Sequence, residues 1–199
     1  RDYLMEVVRT INKLEKDLVV ISGDIITGSV NNFWKRWMPA TNSDYVSMVG
    51  EVLRELDDGE KIAVLGNHDQ WSGRKTELRL VSELERVGIQ VLRNSSKKIA
   101  RGLSSLYVAG TDDYWFSCDL EKALRRVPRN EFKILLCHSP DVRVNIKKGT
   151  KIDLTLCGHT HGGQVRLPGG HAPVLPVANK AYSSGLVYSS RGTPLFISR

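Results

Sequence analysis

The chain has 199 residues, of which 41% are hydrophobic and 26% are charged, a composition typical of a soluble globular protein with one domain over residues 1–199. No window reaches the roughly 18 consecutive apolar residues that a membrane-spanning helix needs, which excludes such a span in this sequence. With 29 Lys and Arg residues against 22 Asp and Glu residues, the net charge is +7. This charge suits anionic partners, such as phosphorylated small molecules, acidic lipid surfaces or nucleic acid. An ordinary basic surface in contact with solvent explains the charge about equally well.

The first half of the chain alternates helix-like and strand-like segments. Apolar residues recur at helical spacing over residues 2–16, which predicts a helix. The run "DLVVISGD" at 17–24 is almost continuously apolar and predicts a strand buried on both faces. Further helices are predicted near 43–57 and 73–87, with a second strand-like run, "KIAVLGNHD", at 61–69 between them.

The second half continues this alternation with shorter strands. The segments "GIQVL", "KKIAR" and "SLYVAG" are short enough to be hairpin strands, and a helix is predicted near 119–126. Two more apolar runs, "FKILLCH" and "IDLTLCGH", follow, and "GLVYSS" with "TPLFIS" predicts a closing hairpin. The alternation predicts an α/β or mixed layered fold without internal repeats or an interdomain linker.

The three cysteines, Cys118, Cys137 and Cys157, form neither a CxxC pair nor an even set. Cys137 and Cys157 each end an apolar run, so both are predicted to be small core residues rather than metal ligands. This agrees with a reducing compartment. The location is left open between the cytoplasm and a membrane-associated state.

Polar tips end four of the apolar runs. They are Gly23-Asp24, Gly66-Asn67-His68-Asp69, Cys137-His138 and Gly158-His159-Thr160-His161. Ligands of layered α/β folds gather beyond the carboxyl ends of the strands, so these tips are expected to converge in one site. In an extended chain residues i and i+2 point the same way, so His159 and His161 are expected to face one metal ion.

The tips carry the ligand types of a transition-metal site. Carboxylate, amide and imidazole groups suit Mn, Fe, Zn or Co and disfavour a pure calcium site. A single aspartate can bridge two metals about 3.5 to 4 Å apart that together activate water for an in-line displacement on phosphorus. His68 is then available to donate a proton to the leaving group, and Asp69 to orient its imidazole.

These motifs resemble those of the calcineurin-like metallophosphoesterase superfamily. "GD" at 23–24, "GNHD" at 66–69, "CHSPD" at 137–141 and "GHTHGGQ" at 158–164 occur in the order that this superfamily has. The resemblance implies a four-layer αββα sandwich and a metal-dependent phosphoesterase with two ions of Mn, Fe or Zn. It also implies that His68 is catalytic, supported by Asp69, and that the metal ligands are Asp24, Asn67, His138, His159 and His161.

A narrower resemblance concerns substrate. "HSPD", "GHTHGGQVRLP" and "AGTDD" are similar to a bacterial branch whose members are often membrane-anchored or exported. That branch includes enzymes that cleave the pyrophosphate of a UDP-linked acylated glucosamine. It implies a phosphomonoester, phosphodiester or pyrophosphate substrate that is anionic or lipid-linked, with peripheral membrane contact as one option.

The chain departs from the superfamily pattern at its start. The superfamily begins with a strand ending in Asp-x-His, which supplies two ligands of the first metal, and this sequence has no such segment. The expectation is a domain truncated at both ends that lacks its first strand and binds only one metal firmly. A protein-binding scaffold that keeps the fold without catalysis is the alternative to the enzyme, and nucleic acid is the weaker option for the substrate because no recognition module is readable.

Three further features are less specific. His171 matches no motif and is predicted to be a loop residue, while Asp112 and Asp113 either border the site or start a turn. The stretch "NNFWKRWMPA" at 31–40 interleaves aromatic and basic residues, which suits a membrane or acyl-chain contact or a small buried cluster. Following Asp24, it is also placed to form a wall of the substrate entrance.

Overall fold

The computed structural model describes residues 1–27, 43–165, 172, 174–189 and 192–199, and within these ranges it has five α-helices and nine β-strands. The helices are α1 (Asp2–Asn12), α2 (Ser43–Leu53), α3 (Asn67–Trp71), α4 (Arg74–Arg86) and α5 (Leu120–Leu124). The strands are β1 (Leu18–Ile21), β2 (Glu60–Ala63), β3 (Gln90–Val91), β4 (Ser95–Arg101), β5 (Ser104–Gly110), β6 (Phe132–Leu136), β7 (Leu154–Cys157), β8 (Gly185–Tyr188) and β9 (Pro194–Ile197). None of the helices in these ranges has both the length and the apolar content to cross a bilayer.

The strands form two sheets. The smaller sheet is parallel and has the order β1-β2-β3. The larger has the order β4-β5-β6-β7-β9-β8, in which β5, β6, β7 and β9 are parallel neighbours, and β4 and β8 are antiparallel strands at the two edges. The carboxyl ends of β1 and β2 therefore lie at one edge of the first sheet, and those of β6 and β7 at one edge of the second.

The apolar side chains divide the molecule into four layers. Along β2 and just beyond it, Ile62 and Val64 pack between the two sheets, whereas Ala63 and Leu65 pack with α1, α2 and α4 on the outer face. The alternation follows from the twofold periodicity of a strand, and burial on both faces explains the near-continuous apolar runs. The outer face of the second sheet packs against α5 and the 3-10 helix Pro140–Asn145. The predicted α/β class and αββα layering are confirmed.

Some predicted elements differ from those observed. Segment 88–92 was expected to be a hairpin strand, but β3 pairs in parallel with β2, because helix α4 provides the crossover. The residues of β1 are half-buried rather than buried on both faces. The apolar run in 61–69 forms a strand only as far as Ala63, and its polar tip begins helix α3 at Asn67.

Gly110, at the end of β5, marks a close approach of the two sheets. A Cβ atom at this position would lie 2.4 Å from Leu92 Cβ and 2.9 Å from Val64 Cγ1. We expect Gly110→Ala to lower the free energy of unfolding by about 1–3 kcal/mol, because these core residues must shift to accommodate the methyl group. Denaturant unfolding measures this, with Ser104→Ala, at an exposed position of the same strand, as the control. Equal stability of the two variants would contradict the prediction.

Candidate metal centre

Three of the four polar tips contribute a carboxylate or an imidazole to one cluster. One donor atom from each of Asp24, His138 and His159 lies within 4.8 Å of the other two. Asp24 follows β1, His138 follows β6 and His159 follows β7, so both sheets contribute. Residues separated by more than a hundred positions along the chain are thereby brought into one cluster, as the convergence of strand ends predicts.

The backbone at the tips is held in unusual conformations. Asp24 has φ of 55° and His159 has φ of 71°, in the left-handed region that residues with a side chain rarely adopt. Such a strained backbone conformation persists only where surrounding contacts hold it in place, and it is often found at functional sites. Gly66 allows the close approach of two tips, since a Cβ atom there would lie 2.2 Å from Asp24 Oδ1.

Hydrogen bonds fix the orientation of both buried imidazoles. His138 Nδ1 lies 2.7 Å from the carbonyl oxygen of Ser22, and His159 Nε2 lies 3.0 Å from that of Pro176. A carbonyl oxygen only accepts, so each of these ring nitrogens donates its proton. The other two nitrogens, His138 Nε2 and His159 Nδ1, then face each other at 3.0 Å, and His138 Nε2 also lies 3.1 Å from Asp24 Oδ2. This arrangement needs a cation or a shared proton between the rings.

The charged states of the cluster depend on its burial and on Asp24. Burial opposes the charged forms, but Asp24 raises the pKa of His138 and His138 lowers the pKa of Asp24. Burial, together with the positive charge of His138, lowers the pKa of His159 to about 4. The cluster therefore combines one carboxylate, one neutral imidazole and one imidazole that holds a proton readily.

Two buried oxygen atoms also fit a metal site. Among the described residues, Asn67 Oδ1 is buried and accepts no hydrogen bond, and the buried Asp24 Oδ2 has only His138 Nε2 beside it, at 3.1 Å. Leaving a buried oxygen such as Asn67 Oδ1 unpaired costs free energy, which coordination of a cation recovers. Two imidazoles, a carboxylate and an amide oxygen together suit Mn, Fe or Zn. The residues present thus fit the metal that the motifs imply.

His161 does not join the three-donor cluster. Its side chain is exposed, whereas His159 is only 8% exposed. The expectation that His159 and His161 point the same way is wrong because β7 ends at Cys157. The chain then turns, with a 3-10 helix at His161–Gly163 and φ of 50° at His161. His161 lies close enough for its charge to contribute to the lowered pKa of His159. Its role as a ligand stays a prediction.

Asp69 has a different set of partners from the one expected. Its Oδ1 accepts from the backbone N–H groups of Ile25 and Ile26 at 2.8 and 2.9 Å, and its Oδ2 accepts from Gly66 N–H at 2.8 Å. The carboxylate therefore binds the loop after β1 to the loop after β2, and none of these bonds goes to the His68 imidazole. Burial raises the pKa of Asp69 to about 7. The geometry makes Asp69 a residue that positions the site.

His68 lies in α3, where its backbone N–H donates to Asp24 Oδ1 at 2.9 Å. Two indoles that belong to none of the sequence motifs lie near it. Trp71 packs at 5.0 Å from the His68 ring, Trp115 at 6.0 Å from Trp71, and His159 at 5.5 Å from Trp115, all between ring centroids. The one signal in the sequence is that Trp71 follows "GNHD" and Trp115 follows "AGTDD" by two residues each.

The remaining expectations have mixed outcomes. Asp112 pairs with Arg93 at 2.8 Å, and Asp113 is 1% exposed with a pKa raised by burial and affected by the charges of His138 and Asp24. Cys137 and Cys157 are buried core residues, as predicted, with their sulfur atoms 3.3 Å apart. His171 and segment 31–40 lie outside the described residues.

Protons and a metal compete for the same ring nitrogens, so metal affinity is expected to depend on pH. The raised pKa of His138 means that its charged form persists to higher pH than that of a free imidazole. We expect the affinity for Mn²⁺ to fall about tenfold per proton displaced as the pH drops by one unit below that pKa. Isothermal titration calorimetry between about pH 8 and pH 6 measures this. A constant affinity over this range would contradict it.

Comparisons with known proteins agree with this geometry. Residues 1–163 match the family model "Calcineurin-like phosphoesterase". The chain is 32% identical to phosphodiesterase YaeI of Escherichia coli over 186 residues, covering 88% of this chain and 63% of that protein. It is also 32% identical to the uncharacterized metallophosphoesterase YkuE of Bacillus subtilis, covering 98% of this chain and 64% of that protein. The chain thus spans somewhat less than two thirds of the length of these relatives.

Solved structures show the same fold at lower identity. NAD nucleotidase NadN of Haemophilus influenzae superposes with a TM-score of 0.58 at 18% identity, covering 99% of this chain and 38% of that one. The calcineurin-like phosphoesterase YfkN of Bacillus subtilis gives a TM-score of 0.57 at 13% identity, covering 98% of this chain and 71% of that one. Together with the match over residues 1–163, the ordered motifs and the clustered donors, these findings show that the chain belongs to the calcineurin-like phosphoesterase family.

Proposed function

We propose that this chain carries the active site of a metal-dependent hydrolase that cleaves a phosphodiester or pyrophosphate bond with water. The observation that carries the proposal is the convergence of Asp24, His138 and His159, with His138 Nε2 and His159 Nδ1 facing each other at 3.0 Å. A purely structural core has no need of such an arrangement, because burying a charge and straining the backbone both reduce the free energy of unfolding. The basic composition suits an anionic substrate.

The proposed roles divide between holding a metal and moving a proton. Asp24, Asn67, His138 and His159 would hold one ion, and the bound metal supplies a water of lowered pKa and neutralises charge on phosphorus oxygens. His68, half-buried at the start of α3, would donate a proton to the leaving oxygen. The hydrogen bond from its backbone N–H to Asp24 Oδ1 fixes the position of the proton donor relative to the ligand cluster.

A second metal site remains a prediction, with Asp24 shared between the ions and His161 as a further ligand. An apolar groove of about 260 Å³ is lined by residues of α1, β1 and α2 and reaches Gly23 and Asp24, and β1 is an edge strand among the described strands. A preceding strand that ends in Asp-x-His would pair with β1 here and bring its two side chains beside Asp24. The groove supports the expectation that the first site is completed by such a strand.

The test compares this chain with a version that is extended upstream through such an Asp-x-His strand. Both are freed of metal with a chelator, reloaded with Mn²⁺, Zn²⁺ or Fe²⁺, and analysed for metal content. Hydrolysis is measured with 4-nitrophenyl phosphate, bis(4-nitrophenyl) phosphate and a UDP-sugar. We expect the extended form to bind about two metals and turn over the diester or the pyrophosphate, and the short form to bind about one.

Two outcomes would overturn parts of this proposal. If neither form hydrolyses any of the three substrates with any metal, the enzyme proposal fails and the protein-binding scaffold replaces it. If the short form alone binds two metals and is fully active, the proposed completion of the site by an upstream strand fails. Cleavage of the UDP-sugar in preference to the diester would favour the narrower expectation of a UDP-linked, acylated glucosamine substrate.

A further inference from the structure

A continuous row of aromatic rings borders the metal-ligand cluster. It runs from His68 to Trp71, Trp115 and His159, with ring centroids 5.0, 6.0 and 5.5 Å apart in that order. The row then ends on His138, whose ring centroid lies 4.8 Å from that of His159. We call Trp71 and Trp115 the aromatic shelf. The shelf therefore begins beside the proposed proton donor and ends beside a proposed metal ligand.

The shelf is held rigidly to the site by hydrogen bonds. Asp113 Oδ1 accepts from the backbone N–H of Trp115 at 3.0 Å, and the N–H of Asp113 donates to Gln70 Oε1 at 3.2 Å. Gln70 lies in α3, the helix that also carries Asn67 and His68, and it is 8% exposed. The loop after β5 is thereby bound to the helix that carries two site residues. A binding surface fixed in this way needs little ordering when a ligand binds.

The two indoles are not part of the hydrophobic core. Neither belongs to the hydrophobic clusters that the described residues form. Trp115 is 51% exposed and Trp71 is partly exposed, so much apolar ring surface remains in contact with water next to the site. Large aromatic rings left exposed beside a polar cluster are typical of ligand-binding surfaces. The ring of Trp115 meets that of His159 in a T-shaped contact at an interplanar angle of 85°, and its 51% exposure leaves ring surface available for a ligand.

We propose that the aromatic shelf binds a flat, nucleobase-like ring of the substrate, attached through a few atoms to the phosphorus that is cleaved. The proposal rests on the proposed function and names its substrate class. A ring stacked on Trp115 lies beside His159, so a sugar-length spacer would bring its phosphate to the ligand cluster. The row mixes indole and imidazole rings, whose polar edges suit a hydrogen-bonding heterocycle better than an acyl chain, which favours aliphatic walls.

The test measures binding of product-like probes by isothermal titration calorimetry to the Mn²⁺-loaded protein. The probes are AMP, ribose 5-phosphate, which lacks the base, and octyl phosphate, which replaces the base with an apolar chain. We expect AMP to bind about tenfold more tightly than ribose 5-phosphate, because this increase in affinity is typical of one stacked base. In Trp115→Leu this ratio should fall to about one, and Trp115→Phe should retain most of it.

Phe116→Leu provides the matched control. Phe116 is the next residue, is 45% exposed and lies outside the row of rings, so its replacement should leave the ratio unchanged. The proposal is overturned if AMP and ribose 5-phosphate bind the wild-type protein equally, if octyl phosphate binds more tightly than AMP, or if Trp115→Leu keeps the full ratio. Binding and turnover separate the two proposals: preference for AMP without any hydrolysis overturns only the proposed function, whereas hydrolysis with equal binding overturns only the shelf.

Discussion

In the form extended through the Asp-x-His strand, His138→Gln is expected to remove tight metal binding and to lower the hydrolysis of bis(4-nitrophenyl) phosphate about 1000-fold, since a bound metal supplies several kcal/mol of transition-state stabilisation. His138 lies at the centre of the cluster, with Nε2 3.1 Å from Asp24 Oδ2 and 3.0 Å from His159 Nδ1. Glutamine can keep a bond to the Ser22 carbonyl but has no ring nitrogen to face the other donors. Metal analysis and steady-state kinetics measure the two effects.

His161→Gln is the matched comparison, because His161 is exposed and lies outside the three-donor cluster. This variant should retain the tightly bound metal that His138→Gln loses. Because His138 is 1% exposed, circular dichroism and thermal unfolding must show that its variant is folded. A folded His138→Gln protein with the metal content and the rate of the wild type would contradict the assignment of this site.

Asp69→Ala is expected to lower the free energy of unfolding by about 3 kcal/mol, because it leaves two buried N–H groups and one partly buried N–H group without their acceptor. Its carboxylate accepts from Ile25, Ile26 and Gly66, which joins the loops carrying Asp24 and Asn67. Asp69→Asn should lose less, because one amide oxygen still accepts. Denaturant unfolding of the metal-free proteins measures the change, and Asp58→Ala, which removes an exposed carboxylate, is the control.

The same carboxyl should make stability depend on pH. Burial raises the pKa of Asp69 to about 7 from an ordinary value of 3.8, so the folded state holds this proton more tightly than the unfolded state does. The resulting stabilisation is complete below the unfolded pKa and is lost as the pH rises through about 7. The stability advantage of the wild type over Asp69→Asn should therefore be larger at pH 5 than at pH 8. A pH-independent difference would contradict the raised pKa.

Local sequence patterns were sufficient for most elements of the fold. Apolar spacing predicted α1, α2 and α4 with their ends displaced by a few residues, and the β4–β5 and β8–β9 hairpins follow from short runs separated by turns. The convergence of the strand tips was also predictable, because parallel strands in a layered fold end at a common edge. Asp24, His138 and His159 meet for this reason.

Other features depended on contacts between residues distant in the chain. The direction of His161 depends on a turn with positive φ that periodicity does not encode, and two of the three partners of Asp69 lie on a loop more than forty residues away. The aromatic shelf joins residues that follow two different motifs and touch only after the sheets have packed. The sequence by itself therefore determined which residue types end the strands, through local hydrophobic periodicity. Only the tertiary structure decided where those side chains point and what surrounds them, because these depend on packing and hydrogen bonds across the two sheets.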